Sequence, residues 1–342
     1  MMTLYIETHK IEEFALFEEE MPHWNKVIKS GINLCINIPD SELDEKLIDE
    51  LDPLGIAYKN SGTMSLPIAL GNYIEAVKED LTQALDKPNG IFVLDVEDIS
   101  ANDIQKKLGM AIFSCSNVPD YLFSSSFSID LPKNETIKDG WSGIIQFDKP
   151  LSNSLVIADN YYFSNEDNGE NRGIKNLIPF IDAYLPDHLE IDYHLTIVSQ
   201  NIGLGKEKSN EWWVKEYGKL VTAVKDLRKY NICIELVLAK SQIHKRRMLS
   251  NYVINKADKG FDVFNSNQLD KVKEENDFEY LEIFSNLDNS GTKHFQSAIK
   301  LIDQLSKHSG NISVYVAAHK NQLDQSLFGC NPDKTIKNRL LN

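Results

Sequence analysis

The chain has no arginine before Arg172, only four cysteines in 342 residues, and no glycine-rich phosphate loop. Each shortage excludes something. Cys35, Cys115, Cys233 and Cys330 are far apart and never form a CxxC pair, so neither a disulfide framework nor a zinc knuckle is expected. The two in LCINI and ICIEL read as small buried hydrophobes of a reducing compartment. No apolar run approaches the roughly 20 residues that span a bilayer. MMTLYIETHKIEEF lacks the basic and apolar regions of a signal peptide, and the expectation is a cytoplasmic protein. GLGKEKS (203–209) has the wrong spacing for a phosphate cradle, and neither a cofactor nor a metal is expected.

Basic charge is short as well. The formal net charge is −15, and it is unevenly placed. Residues 1–140 hold 25 acidic side chains against 11 lysines, whereas residues 141–342 hold 26 acidic against 25 basic. An acidic surface opposes non-specific attraction to nucleic acid or anionic membrane. A polyanion site must therefore be a local patch in the second part.

What is present is an ordinary globular composition, 42% hydrophobic and 25% charged, at a length that suits two domains. In the first part, TLYIE, INLCINI (32–38) and IFVLDVE (91–97) read as strands. Between them, Lys10 to Lys29, Ser41 to Leu51, Pro67 to Leu85, and Asp103 to Phe113 capped by Ser100 read as helices. Residues 115–140 are rich in serine, proline and asparagine and hold a boundary. In the second part, strands are expected at 153–163, 189–199, 231–239, 248–255, 278–287 and 311–318. Helices are expected at 174–184, 212–230 and 293–308. The fold class is α/β: an acidic α/β domain over 1–135 and a second domain over 136–342, with a mixed sheet flanked by helices.

One constellation carries chemistry. His244-Lys245-Arg246-Arg247 follows a strand and opens another, within a frame His244-x-Arg246-x-x-x-x-Asn251. An imidazole is a competent nucleophile near neutral pH. A cation two residues along a strand projects from the same face, and arginine's planar fork suits phosphate. The frame resembles the HxKxxxxD signature of the phospholipase D (PLD) superfamily, with Arg for Lys and Asn for Asp. The order strand, Asp159-Asn160-Tyr161, helix, strand, long helix, strand, IHKRR, then Gly260-Phe261-Asp262-Val263-Phe264 is similar to the C-terminal PLD-like domain of MIT-domain proteins. It is also similar to bacterial PLD-like modules found near antiviral-defence genes.

The resemblance covers residues 150–285. It implies His244 as the group that attacks phosphorus, Arg246 as the phosphate clamp and Asn251 as an orienter. Lys245 and Arg247 would add phosphate-binding charge, with Asp159, Tyr161, Asp262 and Asn265 as accessory residues. Catalysis in that superfamily takes two motifs and this chain carries one, so a homodimer is implied. The implied activity is a metal-independent phosphodiesterase of nuclease type in antiviral defence, reaching nucleic acid through the basic patch. The alternative is a non-catalytic PLD-like module that docks a protein partner or a phosphorylated ligand. No membrane partner is expected, and the acidic first domain is a candidate surface for a protein partner.

Other groups read more plainly. His194 is a core or edge histidine of its strand rather than a second catalytic group. Asp95, Glu97 and Asp98 serve as helix caps in preference to a metal cluster. Of Trp212 and Trp213, one ring packs inward.

Overall fold

The computed structural model describes the chain except residues 1, 57–66, 161, 164–165, 168–169, 201–206, 240–244, 288–326, 332–334 and 342. The side chains of 166, 167, 170, 172 and 239 are likewise left aside. The helix expected at 293–308 and the strand at 311–318 lie outside the described residues. The chain divides into two compact units, Met1–Ser125 with residues 282–287, and Ser126–Leu281 with the described residues after 326. Both are α/β.

The first unit runs β1 (Thr3–Glu7), α1 (Thr8–Leu16), α2 (Pro22–Lys29), β2 (Asn33–Asn37), α3 (Asp40–Ile48), β3 (Ile68–Ala69), α4 (Gly71–Glu79), β4 (Gly90–Leu94), α5 (Asp98–Leu108) and β5 (Ala111–Ser114). Its sheet has the order β3-β2-β1-β4-β5, parallel throughout. Parallel strands are joined by crossovers that cover both sheet faces, which is why these strands read as unbroken apolar runs. Leu4, Ile6, Leu34, Ile36, Ile91 and Val93 are all buried.

Three expected helices are placed differently. Lys10 to Lys29 is two helices, because Pro22 cannot sit in a helix interior and instead starts α2. Pro67 to Leu85 is a short strand, α4, and a 3-10 turn opened by Asp80, whose side chain accepts from Thr82 N. The helix expected from Asp103 to Phe113 starts at Asp98 and ends at Gly109, a left-handed cap at φ 62°. Residues 111–114 then form β5, and Ser100 lies inside the helix.

The second unit runs β6 (Ser126–Leu131), α6 (Gly140–Ile144), β7 (Ser154–Ala158), β8 (Glu166–Asp167), β9 (Glu170–Asn171), α7 (Arg172–Tyr184), β10 (Tyr193–Gln200), α8 (Asn210–Lys225), β11 (Ile232–Ala239), β12 (Arg247–Ser250), β13 (Val253–Ala257), β14 (Phe264–Asn265), β15 (Gln268–Val272), β16 (Asn276–Glu282) and β17 (Leu327–Phe328). Its main sheet has the order β17-β11-β10-β7-β12-β13-β16-β6. β7, β10 and β11 are parallel, and β12 runs antiparallel to β7. The core is aromatic: Trp141 meets Phe180 at 4.7 Å, and Phe180 stacks on Phe261 at 4.8 Å. The run 248–255, expected as one strand, is a hairpin that turns at Asn251-Tyr252.

Candidate functional site

The carboxyl ends of β7, β10 and β11 collect at one edge of the second unit's sheet. In open α/β sheets that edge is where ligands bind. Antiparallel β12 starts at the same edge, because Arg247 pairs with Ala158 while Ser250 pairs with Leu155. The register thus brings Lys245, Arg246 and Arg247 to the end of β7, where Asp159 and Asn160 follow. Asp159 N continues the ladder by donating to Val198 O at 3.0 Å. His244 and Tyr161 lie outside the described residues.

Of the three cations, Lys245 is exposed, and Arg246 and Arg247 are half-buried. Arg246 Nη1 donates to Asp258 O at 2.6 Å, and Arg247 Nη1 to Arg246 O at 3.0 Å. Burial pulls the Arg247 guanidinium below its ordinary range, opposed by Glu279 and Asp258. It stays charged.

Asp159 is fully buried, and its Oδ2 accepts from Phe261 N at 2.6 Å. That contact requires glycine at 260. Gly260 has φ 93°, and a Cβ there would lie 2.5 Å from Asp159 Oδ2. Downstream, Asn176 accepts from Phe264 N and donates to Phe264 O, both at 2.8 Å. The segment 260–264 is therefore pinned at both ends. Asp262 is buried in an ion pair with Lys273 at 2.5 Å. Asn265 Nδ2 donates to Lys271 O at 3.2 Å and fixes the β14–β15 hairpin.

Asn251 is not at this edge. It sits at the other end of β12, about 13 Å from Arg247 at 3.3 Å per residue. Its buried Oδ1 accepts from Asn153 N at 3.0 Å and Ser154 N at 3.2 Å, and its Nδ2 donates to Asn153 Oδ1 at 3.2 Å. It holds the start of β7 rather than a phosphate. Tyr162 was not singled out from the sequence. Its hydroxyl is fully buried with no hydrogen-bond partner among the described residues, and burial, helped by Asp159 and Asp262, raises its pKa well above the ordinary value. Its signal is burial, which residue type alone does not reveal.

The remaining groups stand apart from the basic run. His194 is at the amino end of β10, and burial, with Arg339 adding, pushes its imidazole down to about 4. Trp213 is buried against Phe163 at 5.2 Å, and Trp212 packs edge-on to it. In the first unit, strand order reverses between β1 and β4, the other place where a ligand would be expected. Its own side chains fill that place: Glu7 accepts from Asn37 at 2.6 Å and Asp95 N at 3.1 Å, and pairs with Lys78 at 3.2 Å. Asp98 accepts from the hydroxyls of Ser114 and Ser116, which hold its carboxyl below the ordinary range. No group of three or more His, Cys, Asp or Glu among the described residues is arranged to hold a metal. No helix among them is long and apolar enough to cross a membrane.

No protein family and no curated protein matches the chain. Among solved structures there is a partial likeness. Phosphatidylserine synthase of Haemophilus influenzae is similar at a TM-score of 0.24 and 10% identity, covering 57% of this chain and 48% of that one. This chain thus spans about half of that protein's length, and a likeness so slight carries no argument about fold or function.

Proposed function

We propose that the second unit is a PLD-like phosphodiesterase module that takes a nucleic-acid phosphate at the carboxyl edge of β7, β10 and β11. The observation that supports this reading is the β12–β7 register, which delivers three successive cations to that edge. Arg246 is the phosphate clamp, and Lys245 and Arg247 raise the local potential. His244 attacks phosphorus and the bond to the leaving oxygen breaks, with a second copy's imidazole giving that oxygen its proton. Water then releases the phosphohistidine. In this reading Asn251 is a positioning residue that fixes the β12–β7 pairing, and the chain works as a homodimer in an antiviral setting.

A second reading is favoured by one observation: Asn251 is remote from the cations. A module of this kind binds a phosphorylated ligand or a protein without turnover. The two readings part on one comparison. Phosphodiesterase activity in EDTA that Arg246→Ala abolishes supports the first, and Arg246-dependent binding without turnover of any DNA or RNA supports the second.

A further inference from the structure

We propose that a groove of the first unit, between the start of α2 and residues 118–121, docks a basic peptide segment of a partner protein, an arginine or lysine flanked by apolar residues. This is independent of the reading of the second unit. The groove encloses about 300 Å³ and is lined by Glu19–Trp24 and Val118–Tyr121. It is preformed: His23 Nε2 donates to Leu122 O at 3.0 Å, and Trp24 Nε1 donates to Pro119 O at 2.6 Å, tying the loop to α2. Both rings are buried, so they serve as scaffold and leave the contact surface to other groups.

That surface combines apolar walls with an acidic rim. Pro22, Val118 and Pro119 form the walls, and the Tyr121 ring packs 5.3 Å from His23 yet is 65% exposed. Leu16 and Phe17, just before the groove, are also exposed. Large apolar groups gathered on a surface mark a contact site. Glu19, Glu20 and Asp120 rim the groove, and none is in an ion pair among the described residues, whereas Glu18 is held by Lys29 at 3.0 Å. Residues 1–125 as a whole hold 22 acidic against 9 basic side chains, which draws cations to this face. A guanidinium or ammonium over Tyr121 gains a cation–π contact while its apolar neighbours pack on the prolines. The chain's own basic run is a poorer occupant, because Arg246 already holds Asp258 O and Arg247 is half-buried.

The test is fluorescence anisotropy of a short capped peptide of alternating arginine and leucine, titrated with the full chain. Saturable binding is expected. It should weaken at least ~10-fold in Tyr121→Ala and in a variant combining Glu19→Lys, Glu20→Lys and Asp120→Lys. The same charge reversal on exposed α3, Glu42→Lys with Asp44→Lys and Glu45→Lys, should leave affinity within about 3-fold. All substituted side chains are exposed, so circular dichroism should be unchanged. The proposal is overturned by a lack of saturable binding, by equal weakening in both charge-reversal variants, or by equal affinity for a glutamate–leucine peptide. Self-association of the chain that Tyr121→Ala abolishes would also overturn it, seating a second copy in the groove.

Discussion

Gly260→Ala tests how the candidate edge is built. Two costs follow from the geometry. An alanine held at φ 93° loses roughly 1–2 kcal/mol to its Cβ. That Cβ would also lie 2.5 Å from Asp159 Oδ2, so the carboxylate must leave Phe261 N. Losing a hydrogen bond to a buried charged group costs roughly 1.5–3 kcal/mol. The expected loss is therefore about 2.5–5 kcal/mol, a fall in urea midpoint of about 1.2–2.5 M at a slope of about 2 kcal/mol per M. Three of the four tryptophans, Trp141, Trp212 and Trp213, belong to the second unit, so with Trp24 of the first unit replaced by Phe, tryptophan fluorescence reports its unfolding. Gly218→Ala on α8 is the contrast, since nothing lies within 4 Å of the added Cβ. It should gain roughly 0.5–1 kcal/mol. In an Asp159→Ala background, Gly260→Ala should cost only its backbone part, about 1–2 kcal/mol. A single-variant loss under about 0.5 kcal/mol, or full additivity, would refute the Asp159–Gly260 coupling.

Three further outcomes are expected. Asn251→Ala removes a buried acceptor from Asn153 N and Ser154 N, costing about 2–4 kcal/mol in denaturation, while phosphate affinity of the folded protein is expected to be unchanged because the proposed site lies at the other strand end. Glu235→Ala removes the acceptor for Lys337 N at 2.6 Å, Asn338 N at 3.2 Å and the Thr196 hydroxyl at 2.8 Å, so hydrogen exchange should rise selectively at 335–341. His194 titrates near 6.5 when unfolded and about 4 when folded, so the unfolded chain takes up the proton first. Stability is then full above about pH 6.5, declines as pH falls toward 4 and levels below it. With its partial exposure discounted, the loss is about 1–2 kcal/mol, and His194→Gln should flatten that part of the urea-midpoint profile.

Most strands were legible because central strands covered on both faces are unbroken apolar runs, as in TLYIE, INLCINI, SLVIA and ICIEL. The hairpin at 247–257 was not. Its turn, Asn251-Tyr252, has no glycine or proline, so MLSNYVIN reads as continuous. The motif frame groups Asn251 with the cations, whereas the length of β12 separates it from Arg247 and leaves it at the opposite sheet edge. In β6, SFSIDL carries the alternation of a half-buried strand, but it stands within a stretch whose serine, proline and asparagine content reads as a boundary. In the candidate site, the basic run and Asp159 were readable from residue type and position at strand ends. Asp159's bond to Phe261 joins positions 102 apart, and no local pattern encodes it.

The proposed role of the basic run is to serve a histidine-based phosphodiesterase site. The most direct measurement is turnover of a panel of single- and double-stranded DNA and RNA in EDTA, by wild type and His244→Ala. Cleavage by wild type should survive the chelator and fall at least ~10³-fold in the variant. Equal cleavage by both proteins would contradict it.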